Sequence, residues 1–312
     1  MTRLLDAPAF AARYADLARV SLNPRRHALR DAHTHSEAVA ARAAALAAAS
    51  GCTPAERDLL EDLGRAHDIG KVTGTARPEK SLDVLAACGV TDPVLLALVR
   101  WHDTNLPWWK SARRGQSPSD AAWRRLAGEV DLRLLVLFMV ADRVDAPGGW
   151  RRNAPLTWFV GEARRRGLIG GAPLVLDLPG QPSEISAGAV LVDRGRALVV
   201  RLRADGYELP KGGLEWDELP EEAALRELRE ETGVDGALAI TGRLGALAYD
   251  HADGSESWHK QVHVFAAHAR GPLVEGALPK GTRERRWLAA GEVATVRLRD
   301  EGLRALVRAA LT

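Results

Sequence analysis

"LPKGGLEWDELPEEAALRELREETGV", residues 209–234, sets seven glutamates and one aspartate against three basic residues. Like charges one helical turn apart repel by ~0.2–0.5 kcal/mol per pair. Such a run needs open solvation, ion pairing or a bound divalent cation to offset that cost. Drawn as a helix, Glu227, Glu230 and Glu231 occupy positions i, i+3 and i+4 and point within about 100° of one another. Leu225 and Leu228 fall on the adjoining face, where they can dock the helix on a sheet. Arg226 follows Glu222 by one turn and precedes Glu230 by one, so it can brace carboxylates on both sides. Gly233 is the expected helix stop. Three oxygen ligands on one face suit a hard cation such as Mg²⁺ or Mn²⁺.

The order G-x5-E-x7-R-E-L-x-E-E-x-G-V is filled by Gly212, Glu218, Arg226, Glu227, Leu228, Glu230, Glu231, Gly233 and Val234. A merely solvated acidic helix has no need of these fixed positions. The stretch resembles the Nudix box at each of them. The resemblance implies an α/β/α sandwich with a mixed sheet over residues 183–312, and metal-dependent hydrolysis of a nucleoside diphosphate linked to another group. It implies a metal set of Gly212, Glu227, Glu230 and Glu231, with Glu227, Glu230 and Arg226 as the catalytic residues. Glu227 is then the candidate base for the attacking water, and Glu218 supports the loop. Lys211 stands directly before the loop, where an ammonium can meet a phosphate. Lys260, in "HKQVHVF", lies on the strand expected to line the pocket. With Arg201 and Trp258 these make the expected substrate contacts. The flanks resemble the diadenosine-polyphosphate and diphosphoinositol branch, although Trp216 and Asp217 stand where that branch often has Pro-Gly. Trp287 reads as packing at a strand end ahead of base stacking. Glu284 reads either as a late extra carboxylate or as an exposed ion pair.

Upstream the pattern is helical from Thr2 to about Val144. "TPAERDLLEDLGRAHDIGKV" (53–72) opens on Thr53, Pro54 and Glu56, a capping box with proline at the first helical position. Asp92 and Pro93 repeat the cap-then-proline signal. "HTHSEAVA" (33–40), "RAHDIGKV" (65–72), "RWHDTN" (100–105) and "MVADRVDA" (139–146) place His, His-Asp, His and Asp on successive predicted helices. His35, His67, Asp68 and Asp142 can converge on one ion, with His102 as a further ligand. Imidazole with carboxylate suits Mn, Fe, Ni, Co or Zn. The order resembles the HD phosphohydrolase superfamily, which implies an all-α domain that cleaves a phosphomonoester or phosphodiester. Lys71 follows the His-Asp pair by one turn and is the expected phosphate contact in catalysis. His33 reads as a solvent neighbour. "WHDTNLPWWKSARR" (101–114) reads equally as a nucleotide-binding stretch or a loop packed by tryptophan.

The expected organisation is an HD-like domain at residues 1–146, a Gly/Pro-rich connection at 147–182 and a Nudix domain at 183–312. After the connection the period switches to two, with a hairpin in "SAGAVLVDRGRALVVRLR" (186–203) turning at Asp193–Gly195. The chain of 312 residues is 46% hydrophobic with net charge +2, so no overall charge marks a nucleic-acid binder. The longest apolar run, "LLVLFMVA" (134–141), is too short for a bilayer. Cys52 and Cys88 form no CxxC pair and read as reduced thiols of a cytoplasmic protein. The expected partner is a small nucleotide. Phosphorylated RNA or DNA ends are the alternative substrate, and a nucleotide sensor without turnover is a third reading. The oligomeric state is left open.

Overall fold

The fold comes from a computed structural model that describes residues 3–170, 174–202, 206–254 and 256–312. The expected first residue of the helical stretch, Thr2, the last of the expected hairpin, Arg203, and residues 171–173 of the expected connection lie outside the described residues. The chain divides into two units, Met1–Gln181 and Pro182–Thr312.

The first unit is helical. Among the described residues its helices are α1 (Pro8–Asp16), α2 (Ala32–Ala49), α3 (Pro54–Ala66), α4 (Pro78–Ala87), α5 (Pro93–Trp101), α6 (Asn105–Arg113), α7 (Asp120–Glu129), α8 (Leu132–Ala141) and α9 (Ala154–Arg165). Local chemistry sets the boundaries. The Thr53 hydroxyl accepts from Glu56 N, and the Glu56 carboxylate accepts from Thr53 N at 2.7 Å, so the capping box opens α3. Asp92 and Asp131 cap α5 and α8 by accepting from backbone N–H groups of the first turn, without the reciprocal bond. Every residue of α8 except Arg133 is buried, as the run 134–141 requires of a helix apolar on all sides. No described helix is long and apolar enough to cross a membrane.

Two readings differ from this unit. The stretch 147–182 contains α9, capped by Asn153 with proline in its first turn. Leu156 and Phe159 of α9 are fully buried in the same core as α8, and Leu176 and Leu178 join them. Pro155 lies in the first turn of the helix and Gly167, at φ 68°, follows its end, so these residues bound a packed helix and make no spacer. Residues 105–113 form a helix, not a loop. Trp108 packs there against Trp123 at 4.8 Å and Phe159 at 6.1 Å between ring centroids.

The second unit contains β1 (Glu184–Asp193), β2 (Arg196–Arg201), β3 (Lys211–Gly213), α10 (Pro220–Thr232), β4 (Val234–Asp235), β5 (Leu238–Asp253), β6 (Glu256–Ala269), β7 (Val274–Glu275), β8 (Glu284–Ala289) and α11 (Glu301–Leu311). The main sheet runs β5-β6-β1-β2-β8, with β3 also paired to β1; β4 and β7 pair separately. The β1–β6 pair is parallel and the others are antiparallel, so the sheet is mixed. Arg194 and Gly195 turn the hairpin with φ of 47° and 71°, the two positive angles of a type I′ turn. Period two then separates two cores. Ala187, Ala189 and Leu191 face α10, beside Ala223, Ala224 and Leu228. Val190 and Val192 face α11, beside Leu303 and Val307. This is an α/β/α sandwich.

The β1 edge is shared. Ser186–Gly188 pair with β3, while Val192 and Asp193 pair with β2. The chain leaves β3 directly into the loop that feeds α10, and the acidic run is spread over that loop and the helix.

Candidate functional site

In the second unit, Gly233 ends α10 in the left-handed conformation at φ 67°. Arg226 organises the acidic side chains. Its guanidinium donates to both oxygens of Glu218 at 2.9 Å and to the Gly213 carbonyl at 2.9 Å. It also donates to Glu227 Oε1 at 2.7 Å and Glu230 Oε2 at 3.0 Å. The Glu218 hydrogen bonds, with Glu227 beside them, push the Arg226 pKa above its ordinary value, so its charge is permanent. Glu231 turns the other way and accepts from Lys211 N at 2.9 Å. Burial pushes the Glu231 carboxyl up to about 7 against the pull of that N–H.

Gly212 faces Glu227. A Cβ there would lie 2.0 Å from Glu227 Oε1 and 2.1 Å from its Cδ. In this arrangement the three glutamates are held by Arg226 and Lys211. Among the described residues, the trios of metal-binding atoms lying within 4.8 Å of one another are both in the helical unit.

The Lys211 side chain pairs with the buried Glu208, which Arg299 also contacts at 3.2 Å. These three line a cavity of ≈ 570 Å³ with Tyr249, Asp250 and Asp300, on the α11 face of the sheet. Of the other expected substrate contacts, Lys260 and Trp258 share Glu184, at 3.1 and 2.9 Å. Arg201 pairs with Glu284 at 2.6 Å, and Tyr207 also bonds Glu284. The buried carboxylates Glu184 and Glu208 escaped the reading of the sequence; the signal for Glu208 is its place three residues before Lys211. Trp287 donates from Nε1 to Glu275 at 2.7 Å.

In the helical unit, α2, the end of α3 and the end of α8 bring His35, His67, Asp68 and Asp142 together, all with less than a tenth of their surface exposed. Gly64 makes the approach possible, because a Cβ there would lie 2.4 Å from Ala40 Cα on α2. His67 and Asp68 sit at the junction beyond α3, not within it. Gly70 is forced by the same junction: a Cβ would meet Ser81 N at 2.5 Å, and Ser81 Oγ donates to the His67 carbonyl at 2.6 Å.

The ring nitrogens decide the chemistry. His67 Nδ1 lies 2.8 Å from the Gly64 carbonyl and His102 Nδ1 lies 2.7 Å from the Val99 carbonyl. A carbonyl only accepts, so both rings carry Nδ1–H, and in the neutral imidazole the lone pair is on Nε2. His67 Nε2 is 3.2 Å from Asp68 Oδ2 and 3.3 Å from Asp142 Oδ1. His35 Nε2 is 3.2 Å from the same Asp142 oxygen. Both Nε2 atoms are buried without a hydrogen-bond partner. Burial also pushes the His35 imidazole below its ordinary pKa, away from a charged form that could donate. His102 stacks edge-on to His67 at 5.4 Å. Lys71 Nζ reaches Asp68 Oδ2 at 2.6 Å and Arg143 pairs with Asp142.

Asp145 and His27 were missed. Asp145 Oδ1 lies 3.0 Å from His35 Nδ1 and 3.3 Å from His27 Nδ1. The available signal was the i, i+3 spacing of Asp145 from Asp142. His33 is partly exposed and packs on Tyr14 at 4.7 Å between ring centroids. Around Trp109 the contact is intramolecular, with Arg113 5.0 Å from its ring centre.

The NUDIX domain family matches residues 182–309, and the HD domain family matches residues 33–146. An RNA pyrophosphohydrolase of Gluconacetobacter diazotrophicus is 39% identical over 111 residues, which cover 36% of this chain and 52% of that protein. The RNA pyrophosphohydrolase of Rhodospirillum rubrum is 36% identical over 78 residues, 24% of this chain and 47% of that one. The chain thus spans about half the length of these relatives. The crystal structure of a MutT NUDIX hydrolase from Burkholderia pseudomallei is 26% identical, covers 39% of this chain and 94% of its own, and has a TM-score of 0.30.

Proposed function

From a chain that carries an HD domain at residues 33–146 and a Nudix domain at 182–309, we propose a hydrolase with two separate centres for nucleotide-type phosphates. Both families depend on divalent metals. The observation that carries the reading is the pair of buried, partnerless Nε2 atoms of His35 and His67 against one Asp142 oxygen. Bare nitrogen lone pairs facing a carboxylate in a dry site repel, and a cation among them turns repulsion into ligation. His35, His67, Asp68 and Asp142, with His102, would hold a transition metal such as Mn, Fe, Ni, Co or Zn. Gly212, Glu227, Glu230 and Glu231 would hold Mg²⁺ or Mn²⁺. The bare Gly212 fits that role, because the loop can then approach the Glu227 carboxylate. Bound metal supplies charge neutralisation of the phosphates and a water of lowered pKa.

The chain's own groups do the rest. In the Nudix centre Glu227 takes the proton from the attacking water while the phosphoanhydride P–O bond breaks. Arg226, clamped by Glu218, keeps Glu227 and Glu230 oriented. Lys211 leaves Glu208 to meet a phosphate oxygen. The cavity beside Lys211, at ≈ 570 Å³, falls in the range of small-ligand pockets, about 300–1,000 Å³. That favours a nucleoside or dinucleoside polyphosphate. In the HD centre Lys71 exchanges Asp68 for the phosphate of a monoester or diester.

The likeness to RNA pyrophosphohydrolases favours a second reading, in which the substrate is the phosphorylated end of an RNA. Few phosphate contacts suffice for an end. The test is phosphorus NMR of products from nucleoside polyphosphates, nucleoside monophosphates and 5′-triphosphorylated oligonucleotides, with Mg²⁺ or Mn²⁺. Anhydride cleavage of the free nucleotides supports the first reading, and cleavage of the oligonucleotide alone supports the second. No hydrolysis of any of them overturns both.

A further inference from the structure

We infer that Asp145 is a positioning residue that locks His35 in the Nδ1–H tautomer and so keeps its Nε2 lone pair aimed at Asp142 and His67. The inference rests on the HD-type reading of this site. The other two rings of the cluster, His67 and His102, are fixed by backbone carbonyls, which no substitution removes. His35 alone is fixed by a side chain. Its Nδ1 lies 3.0 Å from Asp145 Oδ1, and both groups are buried, at 0% and 7% exposure. An ionised carboxylate only accepts, so the proton must sit on Nδ1.

Asp145 is itself anchored. Its Oδ2 accepts from Leu29 N at 3.3 Å, and its carbonyl accepts from Ala28 N at 2.7 Å. His27 donates from Nδ1 to the same Oδ1 and packs edge-on to His35 at 4.6 Å between ring centroids. The segment before α2 is thereby tied to the end of α8, with the carboxylate held between two imidazoles.

This anchoring makes the consequence of one isosteric change specific. In Asp145→Asn, an amide oxygen kept on Leu29 N sets the amide nitrogen at the Oδ1 position, against both His35 and His27, so His27 must also turn or give up its Nδ1 hydrogen. An NH₂ there donates to Nδ1, which must give up its hydrogen. The proton moves to Nε2 and points into the cluster. A ligand nitrogen becomes a blocked one, with no change in shape. Removing an outer partner of a metal-ligating histidine costs about 10- to 100-fold in affinity.

The experiment uses the whole chain with ¹⁵N-labelled histidine, and the His35 signals are assigned by their loss in His35→Gln. Long-range ¹H–¹⁵N correlation reads the tautomer in metal-free protein. A Zn²⁺ titration followed on the His67 and His102 signals reads affinity at this site alone. The wild type is expected to show Nδ1–H at His35, and Asp145→Asn to show Nε2–H with Zn²⁺ affinity lower by about 10- to 100-fold. His27→Gln keeps the Asp145–His35 contact and is expected to keep tautomer and affinity. Nε2–H in the wild type overturns the inference even if the Asn variant fails to fold. So does an unchanged tautomer in Asp145→Asn, or an equal loss of affinity in His27→Gln, which would place the effect in packing of the segment. If no Zn²⁺ perturbs the wild-type histidines, the metal reading fails while the tautomer result still stands or falls separately.

Discussion

Gly212 leaves the space that the Glu227 carboxylate occupies: a Cβ at residue 212 would sit 2.0 Å from Glu227 Oε1. The atom in the way is the end of a flexible side chain, so Gly212→Ala can be accommodated by moving that carboxylate. The fold should survive and the chemistry should not. Displacing a catalytic group by about 1 Å costs on the order of a hundredfold. Anhydride hydrolysis by Gly212→Ala is expected to fall on that scale, with a thermal midpoint close to wild type. Unchanged kcat/KM would mean that the position of Glu227 does not matter.

Glu231 gives a pH dependence. Its carboxyl is raised to about 7 by burial, so the folded, metal-free protein holds a proton there below neutrality. A raised folded-state pKa means that stability from this group is present at low pH and is lost as pH rises toward 7. The same proton competes with a cation. Mn²⁺ affinity of the second unit is therefore expected to rise between pH 6 and pH 8, and Glu231→Gln to flatten that rise. Calorimetric titration at the two pH values checks it; equal affinity in the wild type would remove Glu231 from the binding set.

Helix α9 sets where the chain can be cut. Phe159 and Leu156 are fully buried with α8. Phe159→Ala is expected to cost about 3–5 kcal/mol in the helical unit, as large-to-small core changes do. A fragment ending at residue 181 should fold, and one ending at residue 146 should not. Fragment 182–312 should fold and retain anhydride hydrolysis. Circular dichroism melts of the fragments decide this. A stable 1–146 fragment would show that α9 is dispensable.

The legible parts share a cause. The acidic helix could be read because its charges recur at helical spacing and Gly233 stops it; α3 and α5 could be read because Thr53 and Asp92 announce their starts. α9 carries comparable signals, Asn153 and Pro155, but flanking glycines and prolines disguised them as a spacer. Asp145 was hidden for another reason. Spacing shows that Asp142 and Asp145 share a face, but only the fold shows which reaches Nε2 of His35 and which reaches Nδ1. Spacing on α10 suggests converging carboxylates, whereas Arg226 and the Lys211 N–H draw them to different partners.

The central claim is that two independent centres act in one chain. Its most direct test measures anhydride and phosphoester hydrolysis side by side in whole-chain variants. Glu231→Gln is expected to cut anhydride hydrolysis by at least about a hundredfold, the scale of losing a main electrostatic contributor, and to leave phosphoester hydrolysis intact. The double change His67→Ala with Asp68→Ala is expected to abolish bound transition metal and phosphoester hydrolysis, and to leave anhydride hydrolysis intact. Loss of both activities in either folded variant, or of neither in both, would contradict the account.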